Sequence, residues 1–201
     1  MRKLLVLVVL LLAGCQLIMM SVERDQARVL SSVIKDSVVQ LLMIGDNGGG
    51  RCTAFSVGNG KFLTAQHCVR GATTLIITRN DKQFIAELVK QDIKNDIALL
   101  VVNKDKLNLK AIPLGVQVHL KVGQTVFAIG HPYGFKDSVT KGIISAFRGL
   151  VFQLDLSVHP GNSGGPIINS SGELISIASR GIPGSVTFGP STKAIKEFLK
   201  E

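Results

Sequence analysis

The sequence contains few aromatic residues and few acidic residues. Phenylalanine, tyrosine and tryptophan together make up 5% of its 201 residues, and tryptophan is absent. Lysine and arginine outnumber aspartate and glutamate by 23 to 14, which gives a formal net charge of +9 at pH 7. Because no basic, aromatic-rich recognition motif accompanies this charge, we do not expect binding to nucleic acid. Attraction to an anionic membrane and ordinary solvated surface charge both remain open.

The N-terminal apolar run is too short to cross a membrane. It extends over residues 4–12, follows Arg2 and Lys3, and precedes Ala13-Gly14-Cys15, whereas a spanning helix needs about 20 apolar residues. A short positive region, an apolar core and small residues before a cleavage point are typical of a secretory signal peptide. We therefore expect a location outside the cytoplasm. An uncleaved anchor that continues through residues 16–20 is the alternative, and it would tether the domain on the same side.

Helices and strands do not alternate along the chain, which argues against an α/β sheet. Short β-branched stretches separated by turn signals such as Asn59-Gly60 and Ser171-Gly172 instead favour a sandwich or barrels. Apolar residues at helical spacing in 192–199 predict a C-terminal helix, and residues 21–35 form either a helix or a tether. The predicted strands cover residues 38–44, 53–57, 74–78, 84–90, 97–102, 126–129, 139–147, 150–156 and 174–179.

One glycine-rich segment, Gly161-Asn162-Ser163-Gly164-Gly165-Pro166, combines a candidate nucleophile with backbone amides. A serine between glycines can lie on a tight turn with its hydroxyl exposed, and the amides of Gly161 and Ser163 then converge on one point. This arrangement predicts an oxyanion hole, the set of donors that stabilises the negative charge formed in acyl transfer. Such glycine-serine runs also occur in ordinary turns, so the segment alone does not establish the chemistry.

Two upstream segments supply the partners that a catalytic serine needs. His67 follows the apolar pair Phe62 and Leu63, and Asp96 precedes the apolar run 97–100. A histidine must accept the serine proton at neutral pH, and an aspartate must hold the imidazole in the right tautomer. Either residue alone would more often be structural, at a turn or as a cap. Their joint occurrence in the order His67, Asp96, Ser163 predicts a catalytic triad.

The chain resembles the trypsin-like serine proteases of the chymotrypsin fold, and among them the bacterial HtrA/Deg branch. The resemblance covers roughly residues 37–200 and also includes segments 128–135 and 139–146, which are similar to the second-barrel segment of HtrA proteins. His131 departs from the family, which usually carries asparagine there. We place His131 in a turn before Pro132 and His119 at the surface. We expect His159 in a solvated loop, with a position lining the substrate cleft as the alternative.

The resemblance implies an all-β fold of two antiparallel six-stranded β-barrels with a C-terminal helix, and a site between the barrels. The first barrel would supply His67 and Asp96, and the second Ser163. HtrA proteins usually continue into PDZ domains, which we do not expect here. The expected boundaries are 1–14 for a lipoprotein signal peptide, 15–36 for a tether or short helix, 37–201 for the protease domain, about 37–103 and about 123–190 for the barrels, and 191–200 for the helix.

The three cysteines divide into a pair and a single residue. In chymotrypsin-like proteases, cysteines with the separation of Cys52 and Cys68 join the strand before the histidine loop to the residue after it, which implies a disulfide. Buried free thiols are the alternative, and an extracytoplasmic location disfavours them. The segment before Cys15 resembles the lipobox of bacterial lipoproteins, which implies that Cys15 is lipidated. In a Gram-negative cell, Gln16 favours the periplasmic face of the outer membrane.

The resemblance also implies a substrate pocket near the oxyanion loop, which comprises Gly161, Asn162 and Ser163. The pocket floor would include Ser157, where no carboxylate is available to pair with a lysine or arginine of the substrate. We therefore expect a preference for small or medium uncharged side chains. The remaining pocket residues implied by the resemblance are Ser179, Arg180, Gly181 and Gly189.

These observations predict a serine endopeptidase that hydrolyses peptide bonds of extracytoplasmic proteins through an acyl-enzyme intermediate. Its partners would be protein or peptide substrates and, through the N-terminal lipid, a bacterial membrane. We expect no cofactor and no metal. The alternative is a catalytically inactive binding lipoprotein that keeps the protease fold, because a blocked cleft or a wrongly turned oxyanion loop is invisible in a sequence.

Overall fold

The computed structural model describes residues 2–46, 48–182 and 185–200, with side chains described from residue 16 onward. Its secondary structure consists mainly of antiparallel strands, with a long helix before them and a short helix after them. The helices are α1 (Arg2–Ser37) and α2 (Thr192–Lys200), and the strands are β1 (Val38–Gly45), β2 (Gly48–Gly58), β3 (Lys61–Thr64), β4 (Thr74–Arg79), β5 (Lys82–Asp92), β6 (Ile97–Val101), β7 (Thr125–Gly130), β8 (Ser138–Arg148), β9 (Val151–Asp155), β10 (Pro166–Asn169), β11 (Leu174–Ile177), β12 (Arg180–Ile182) and β13 (Val186–Pro190).

The first six strands form a closed barrel in the order β1-β2-β3-β6-β5-β4. Along β1, alternate side chains point to opposite faces, so Val39 and Leu41 enter the barrel while Gln40 lies outside it. Leu41, Ile77 and Leu100 are among the buried side chains that fill the interior. Closure leaves no unpaired strand edge, and it gives the elements between these strands a fixed frame.

The remaining strands form a seven-stranded sheet in the order β11-β10-β7-β8-β9-β13-β12. The resemblance implied a closed six-stranded barrel here, and the structure has instead a half-barrel whose two edge strands are β11 and β12. These edges are consecutive in the chain and are separated only by Ala178 and Ser179. Because two residues must connect these edges, the sheet is curved so that β11 and β12 come close together. The edges are joined by the chain itself and not by hydrogen bonds between paired strands.

An apolar cluster joins the barrel, the sheet and both helices. Phe55 and Leu63 of the barrel meet Ile129 of the sheet and Phe198 of α2 in one buried group. Lys90 of β5 further links the barrel to α2, since its ammonium donates to the Phe198 carbonyl at 2.8 Å. The shared core fixes the barrel and the sheet against each other, and so fixes the cleft between them.

The nine strands predicted from the sequence are all present, with ends that differ by a few residues. The apolar pair Phe62 and Leu63 lies in β3. Strands β10, β12 and β13 were not predicted, because β10 begins with a proline after a glycine run and β12 has three exposed residues. The C-terminal helix is confirmed as Thr192–Lys200.

Helix α1 includes the segment 21–35 for which helix and tether were both open. Its C-terminal half packs on the domain through Leu30, Val33 and Ile34, and Gln26 donates to Ser170 at 3.2 Å. In the portion of the chain with described side chains, no helix is long and apolar enough to cross a membrane. The predictions for the signal peptide and for acylation of Cys15 concern side chains outside those described.

Candidate active site

His67 and Asp96 lie on two turns at one end of the barrel. His67 belongs to a 3-10 turn, Gln66–Cys68, directly after β3. Asp96 lies between β5 and β6 with a φ of 57°, a left-handed conformation that aspartate tolerates better than most residues. The Asp92 carboxylate shapes this turn by accepting from the Asn95 amide at 3.0 Å. Both side chains are therefore positioned by short connections within a closed barrel.

The Asp96 carboxylate binds His67 through both of its oxygens. Oδ2 lies 2.9 Å from the ring Nδ1, and Oδ1 accepts from the His67 backbone N–H at 2.9 Å. The hydroxyl of Ser179 also donates to Oδ2. Burial raises the pKa of Asp96, but the hydrogen bonds from His67 and Ser179 outweigh it and lower the pKa to about 2. An ionised Asp96 fixes the imidazole with its proton on Nδ1 and leaves Nε2 to accept a proton.

Ser163 follows β9 on the connection to β10 and is half-buried. Its carbonyl accepts from the Thr53 amide at 2.8 Å, and the Gly164 amide donates to Ala178 at 2.7 Å. Gly164 has a φ of +81°, and a Cβ there would clash with the Thr64 hydroxyl just before the His67 turn. These contacts bring the serine turn against the segment that carries His67. Among the described residues, no hydrogen bond joins the Ser163 hydroxyl to His67, and such bonds often tighten only when substrate is present.

The Pro160–Gly161 peptide has a defined orientation. Its carbonyl, that of Pro160, accepts from the Tyr133 amide at 2.7 Å, and the Gly161 carbonyl, which belongs to the following peptide, accepts from the Thr53 hydroxyl at 2.7 Å. Because the two polar groups of a trans peptide point in opposite directions, the Gly161 N–H points away from Tyr133. Gly161 has a φ of +101°, and a Cβ there would clash with the His131 carbonyl, so only glycine fits.

Two amides of the Ser163 turn have no partner within the described chain, those of Gly161 and Ser163. The Asn162 amide is different, because it donates to the His159 carbonyl at 2.9 Å and closes the turn. Asn162 is itself only 3% exposed. Of the three residues expected in the oxyanion loop, Asn162 therefore has a structural place, while Gly161 and Ser163 have donors available to a ligand.

The residues expected around the substrate pocket have different environments. Ser157 is exposed, Ser179 is half-buried and donates to Asp96, and Arg180 and Gly181 are exposed on the edge strand β12. Gly189 is buried, and a Cβ there would clash with the Ile177 carbonyl. Gly189 therefore permits close packing of β13 on β11, and the structure does not place it on an open pocket wall.

Two residues of this site were not anticipated from the sequence. Thr53 supports the Ser163 turn through both its amide and its hydroxyl. Tyr133 orients the Pro160 carbonyl through its backbone, with a φ of 53°. Neither contact leaves a recognisable pattern in the sequence. Thr53 lies in the barrel, far along the chain from the Ser163 turn, and Tyr133 acts through a backbone amide that most residue types would supply. Only the three-dimensional arrangement shows them.

A disulfide links Cys52 of β2 to Cys68 of the 3-10 turn, with a Cα–Cα distance of 6.1 Å. This is the pairing that the resemblance implied. Cys68 directly follows His67 and is 1% exposed. The bridge thus ties the backbone at His67 to the strand that also carries Thr53.

Comparisons with known proteins agree with this geometry. The family model described as a trypsin-like peptidase domain matches residues 52–177. A probable periplasmic serine endoprotease DegP-like from Halomonas elongata is 44% identical over 131 residues, which are 61% of this chain and 27% of that protein. Protease Do-like 1, chloroplastic, from Arabidopsis thaliana is 41% identical over 131 residues, which are 59% of this chain and 30% of that protein. The chain thus spans less than a third of these relatives.

Solved structures give the same result over more of the chain. The HtrA-type protease AlgW with tripeptide superposes with a TM-score of 0.76 at 31% identity, and the match covers 87% of this chain and 62% of that one. A serine endoprotease from Yersinia pestis gives a TM-score of 0.78 at 27% identity, covering 87% of this chain and 65% of that one. The chain belongs to the trypsin-like peptidase family, with HtrA-type serine proteases among its relatives.

Proposed function

We propose that this protein is a serine endopeptidase with Ser163 as nucleophile, His67 as general base and acid, and Asp96 as the residue that orients His67. The observation that supports this most strongly is the pairing of a fixed imidazole with free amides. The Asp96 carboxylate contacts His67 through both oxygens, and the amides of Gly161 and Ser163 have no partner within the described chain. Acyl transfer needs these two features together.

In the proposed reaction, Nε2 of His67 takes the Ser163 proton while the serine oxygen bonds to the peptide carbonyl carbon. The carbonyl oxygen becomes an oxyanion, which the Gly161 and Ser163 amides stabilise, at about 3 to 4 kcal/mol per donor in comparable sites. The imidazolium then gives its proton to the departing amine, and the C–N bond breaks to leave an ester on Ser163. Water, deprotonated by His67, hydrolyses that ester and restores the enzyme.

Strand β12 is the element best suited to bind the substrate backbone. It is a sheet edge, paired on one side by β13, and its residues are exposed next to Ser179, which contacts Asp96. An extended peptide can add to such an edge through main-chain hydrogen bonds. The proposed substrates are unfolded or exposed segments of extracytoplasmic proteins, with uncharged side chains preferred near Ser157.

The domain limits are proposed as a leader at residues 1–14, a connecting helix up to residue 36, and a protease domain over 37–201. Strands β1–β6 lie within the first half at about 37–103, and β7–β13 within the second at about 123–190. The helix at 191–200 closes the domain. The single apolar cluster that joins both halves supports one folding unit.

We further propose that the domain is held at a bacterial membrane by acylation of Cys15. The disulfide supports an oxidising compartment, and the relative from Halomonas elongata is named as periplasmic. Leu17, Ile18, Met19 and Met20 on α1 are all more than half exposed. That exposure suits a position close to the lipid, and it also suits the alternative of an uncleaved anchor.

The catalytic proposal is tested by labelling the folded protein with a fluorophosphonate probe. We expect covalent labelling of the wild type, none of Ser163→Ala, and a rate reduced by several orders of magnitude in His67→Ala. Ser157→Ala is the matched control, because it removes an exposed hydroxyl outside the triad. If folded wild type and Ser163→Ala are equally unlabelled, the binding-lipoprotein alternative is favoured.

The anchor is tested by metabolic labelling with a fatty acid and by membrane fractionation. We expect Cys15→Ser to lose the acyl group and to leave the membrane fraction. If acylation persists in Cys15→Ser, Cys15 is not the modified residue. If acylation is absent in the wild type while the protein stays in the membrane fraction, the uncleaved anchor is favoured.

A further inference from the structure

His131 lies at the junction of the barrel, the sheet and the oxyanion loop. Its backbone amide hydrogen-bonds the Thr53 hydroxyl at 3.1 Å, and the same hydroxyl donates to the Gly161 carbonyl at 2.7 Å. The residue is 4% exposed. A residue with a titratable ring is therefore buried two hydrogen bonds away from Gly161, whose amide is a candidate oxyanion donor.

The His131 ring closes the loop that follows it. Nδ1 lies 3.1 Å from the Asp137 backbone N–H, which can only donate, so Nδ1 accepts and the ring is neutral with its proton on Nε2. Nε2 is buried and makes no hydrogen bond of acceptable geometry within the described chain. The Nδ1 contact thus requires the neutral form, because a protonated ring has donors on both nitrogens and no acceptor.

The loop from His131 to Asp137 is held in a conformation that needs such support. Tyr133 and Asp137 both have left-handed φ angles, of 53° and 62°, a conformation that non-glycine residues keep only where the surrounding contacts support it. Within the loop, Gly134 donates to the His131 carbonyl at 3.0 Å. Tyr133 donates to the Pro160 carbonyl, so the shape of this loop decides which way the Pro160–Gly161 peptide faces.

Charged groups of both signs face the ring. The Asp137 carboxylate is 3.9 Å from Nδ1, and Arg79 and Lys136 act against protonation. The Lys136 ammonium is itself paired with Asp81 at 2.7 Å. A cavity of about 270 Å³ lies between the barrel and the loop and is lined by His131 together with Arg51 and Lys136. The charges that act on the ring are thus the Asp137 carboxylate and the Lys136 ammonium of its own loop and the Arg79 guanidinium of β4.

We propose that neutral His131 is a positioning residue for the oxyanion hole, and that its protonation releases the 131–137 loop and with it the Tyr133 contact to Pro160. The proton would enter at Nδ1, the Asp137 N–H would lose its acceptor, and the new Nδ1–H would turn toward the Asp137 carboxylate. The inference rests on the proposed function, because it assigns a role to the Gly161 amide. It makes the site reversibly sensitive to acid through a group outside the triad.

The direction of the pH effect follows from the environment of the ring. Burial lowers the pKa of His131 below its ordinary value of 6.5, the Asp137 carboxylate and the Val39 backbone oppose this, and Arg79 and Lys136 add to it. A group with a lowered pKa in the folded state stabilises that state above its unfolded pKa, and the contribution is lost as pH falls through the folded pKa. We therefore expect the ordered loop near and above pH 7, and its release below pH 6.5.

The first test is the pH dependence of fluorophosphonate labelling in the full chain, kept in detergent. In the wild type, protonation of His131 adds one acid-dependent step to the loss of labelling, so the logarithm of the labelling rate should fall more steeply with decreasing pH than it does without this group. His131→Asn keeps an oxygen near the place of Nδ1 that can accept from Asp137 without titrating. We expect this variant to keep most of its activity at neutral pH and to show a slope that is smaller than that of the wild type by about one per pH unit. Equal slopes in both proteins would overturn the proposal.

The second test follows the loop without catalysis. The chain has one tyrosine and no tryptophan, so intrinsic fluorescence reports on Tyr133 alone. In a Ser163→Ala background, we expect a reversible change in Tyr133 emission below pH 6.5 that disappears in Ser163→Ala/His131→Asn. The Tyr133 ring also contacts His159 at 5.8 Å, so Ser163→Ala/His159→Asn is the matched control, and there the change should remain.

The two tests separate the failure of this inference from the failure of the proposed function. If the wild type is unlabelled at every pH, the peptidase assignment fails, and the fluorescence titration still decides whether His131 controls the loop. Should His131→Asn not fold, the titration in the His159→Asn background decides alone, and an unchanged Tyr133 emission across acid pH overturns the proposal. A change that is lost in the His159 variant overturns it as well.

Discussion

The two halves of the site are held in place by different means. His67 and Asp96 lie on connections of a closed barrel, tied by a disulfide next to His67 and by two hydrogen bonds to each other. Ser163 lies on a connection between strands of the open sheet. Its turn is held by groups from other segments, including Thr53 and Tyr133. His67, the proposed base, is thus fixed by its own barrel, while Ser163, the proposed nucleophile, and the proposed oxyanion donors depend on distant backbone contacts.

In the barrel half of the site, which contains His67 and Asp96, Asp96→Asn should cause the largest loss of activity. An amide can donate to Nδ1 and hold the ring in the wrong tautomer, so we expect a loss of about 10⁴-fold in the rate of probe labelling with the fold retained. Asp92→Asn is the matched control, because it makes the same chemical change in the same turn without contact to His67, and it should change the rate little. Comparable losses in both variants would show that the turn matters and that the pairing with His67 does not.

In the sheet half of the site, which contains Gly161 and Ser163, Gly161→Ala should reduce activity by reorienting a peptide. The new Cβ would clash with the His131 carbonyl and require a φ of +101°, so the Pro160–Gly161 peptide must turn and lose its donor. We expect the labelling rate to fall by about 10²- to 10³-fold. Gly149→Ala is the control, since Gly149 also has a positive φ, of +66°, but faces open space, and its variant should lose some stability without losing rate. Equal labelling rates in Gly161→Ala and wild type would contradict the assigned orientation.

The same contrast explains which parts of the site are predictable from sequence. His67, Asp96 and Ser163 are chemically required residue types in recognisable local contexts, and the structure places His67 with Asp96 and sets the Ser163 turn against the His67 segment. Tyr133 acts through a backbone amide that any residue but proline would offer. Its role depends on a left-handed conformation and on a carbonyl in another loop, and neither leaves a trace in residue type.

The fold shows a similar division. Strands with alternating or β-branched patterns, such as β1 and β4, are predictable because one face of each fills the barrel. The half-barrel shape of the second sheet is not predictable from the sequence. It depends on the short connection, Ala178 and Ser179, that joins the two edge strands β11 and β12. His131 was expected in a turn and lies at one. It is also buried, and its backbone amide hydrogen-bonds the hydroxyl of Thr53 in the barrel.

Removal of the disulfide should lower the stability of the barrel half and leave the contacts of the sheet half in place. In the chain-entropy model a bridge across 16 residues contributes about 3 kcal/mol. We expect Cys52→Ala/Cys68→Ala to lose about that much free energy of unfolding in urea titrations, with a smaller loss of labelling rate at low urea. Reductant should destabilise the wild type and leave the double variant unchanged. Stability that reductant does not alter in the wild type would contradict a structural bridge.

Acid titration should produce the smallest effect, and it separates the charge of Asp96 from its packing. The pKa of Asp96 is lowered from 3.8 to about 2 because the hydrogen bonds from His67 and Ser179 outweigh burial. A lowered pKa means that the ionised form stabilises the fold above pH 3.8 and that the contribution, about 2 kcal/mol, is lost as pH falls toward 2. In urea titrations of a Ser163→Ala background, Asp96→Asn should therefore differ most from its parent near neutral pH, and the difference should shrink below pH 4. A difference that stays constant across that range would mean that the amide disturbs packing and that the carboxylate charge does not stabilise the barrel half.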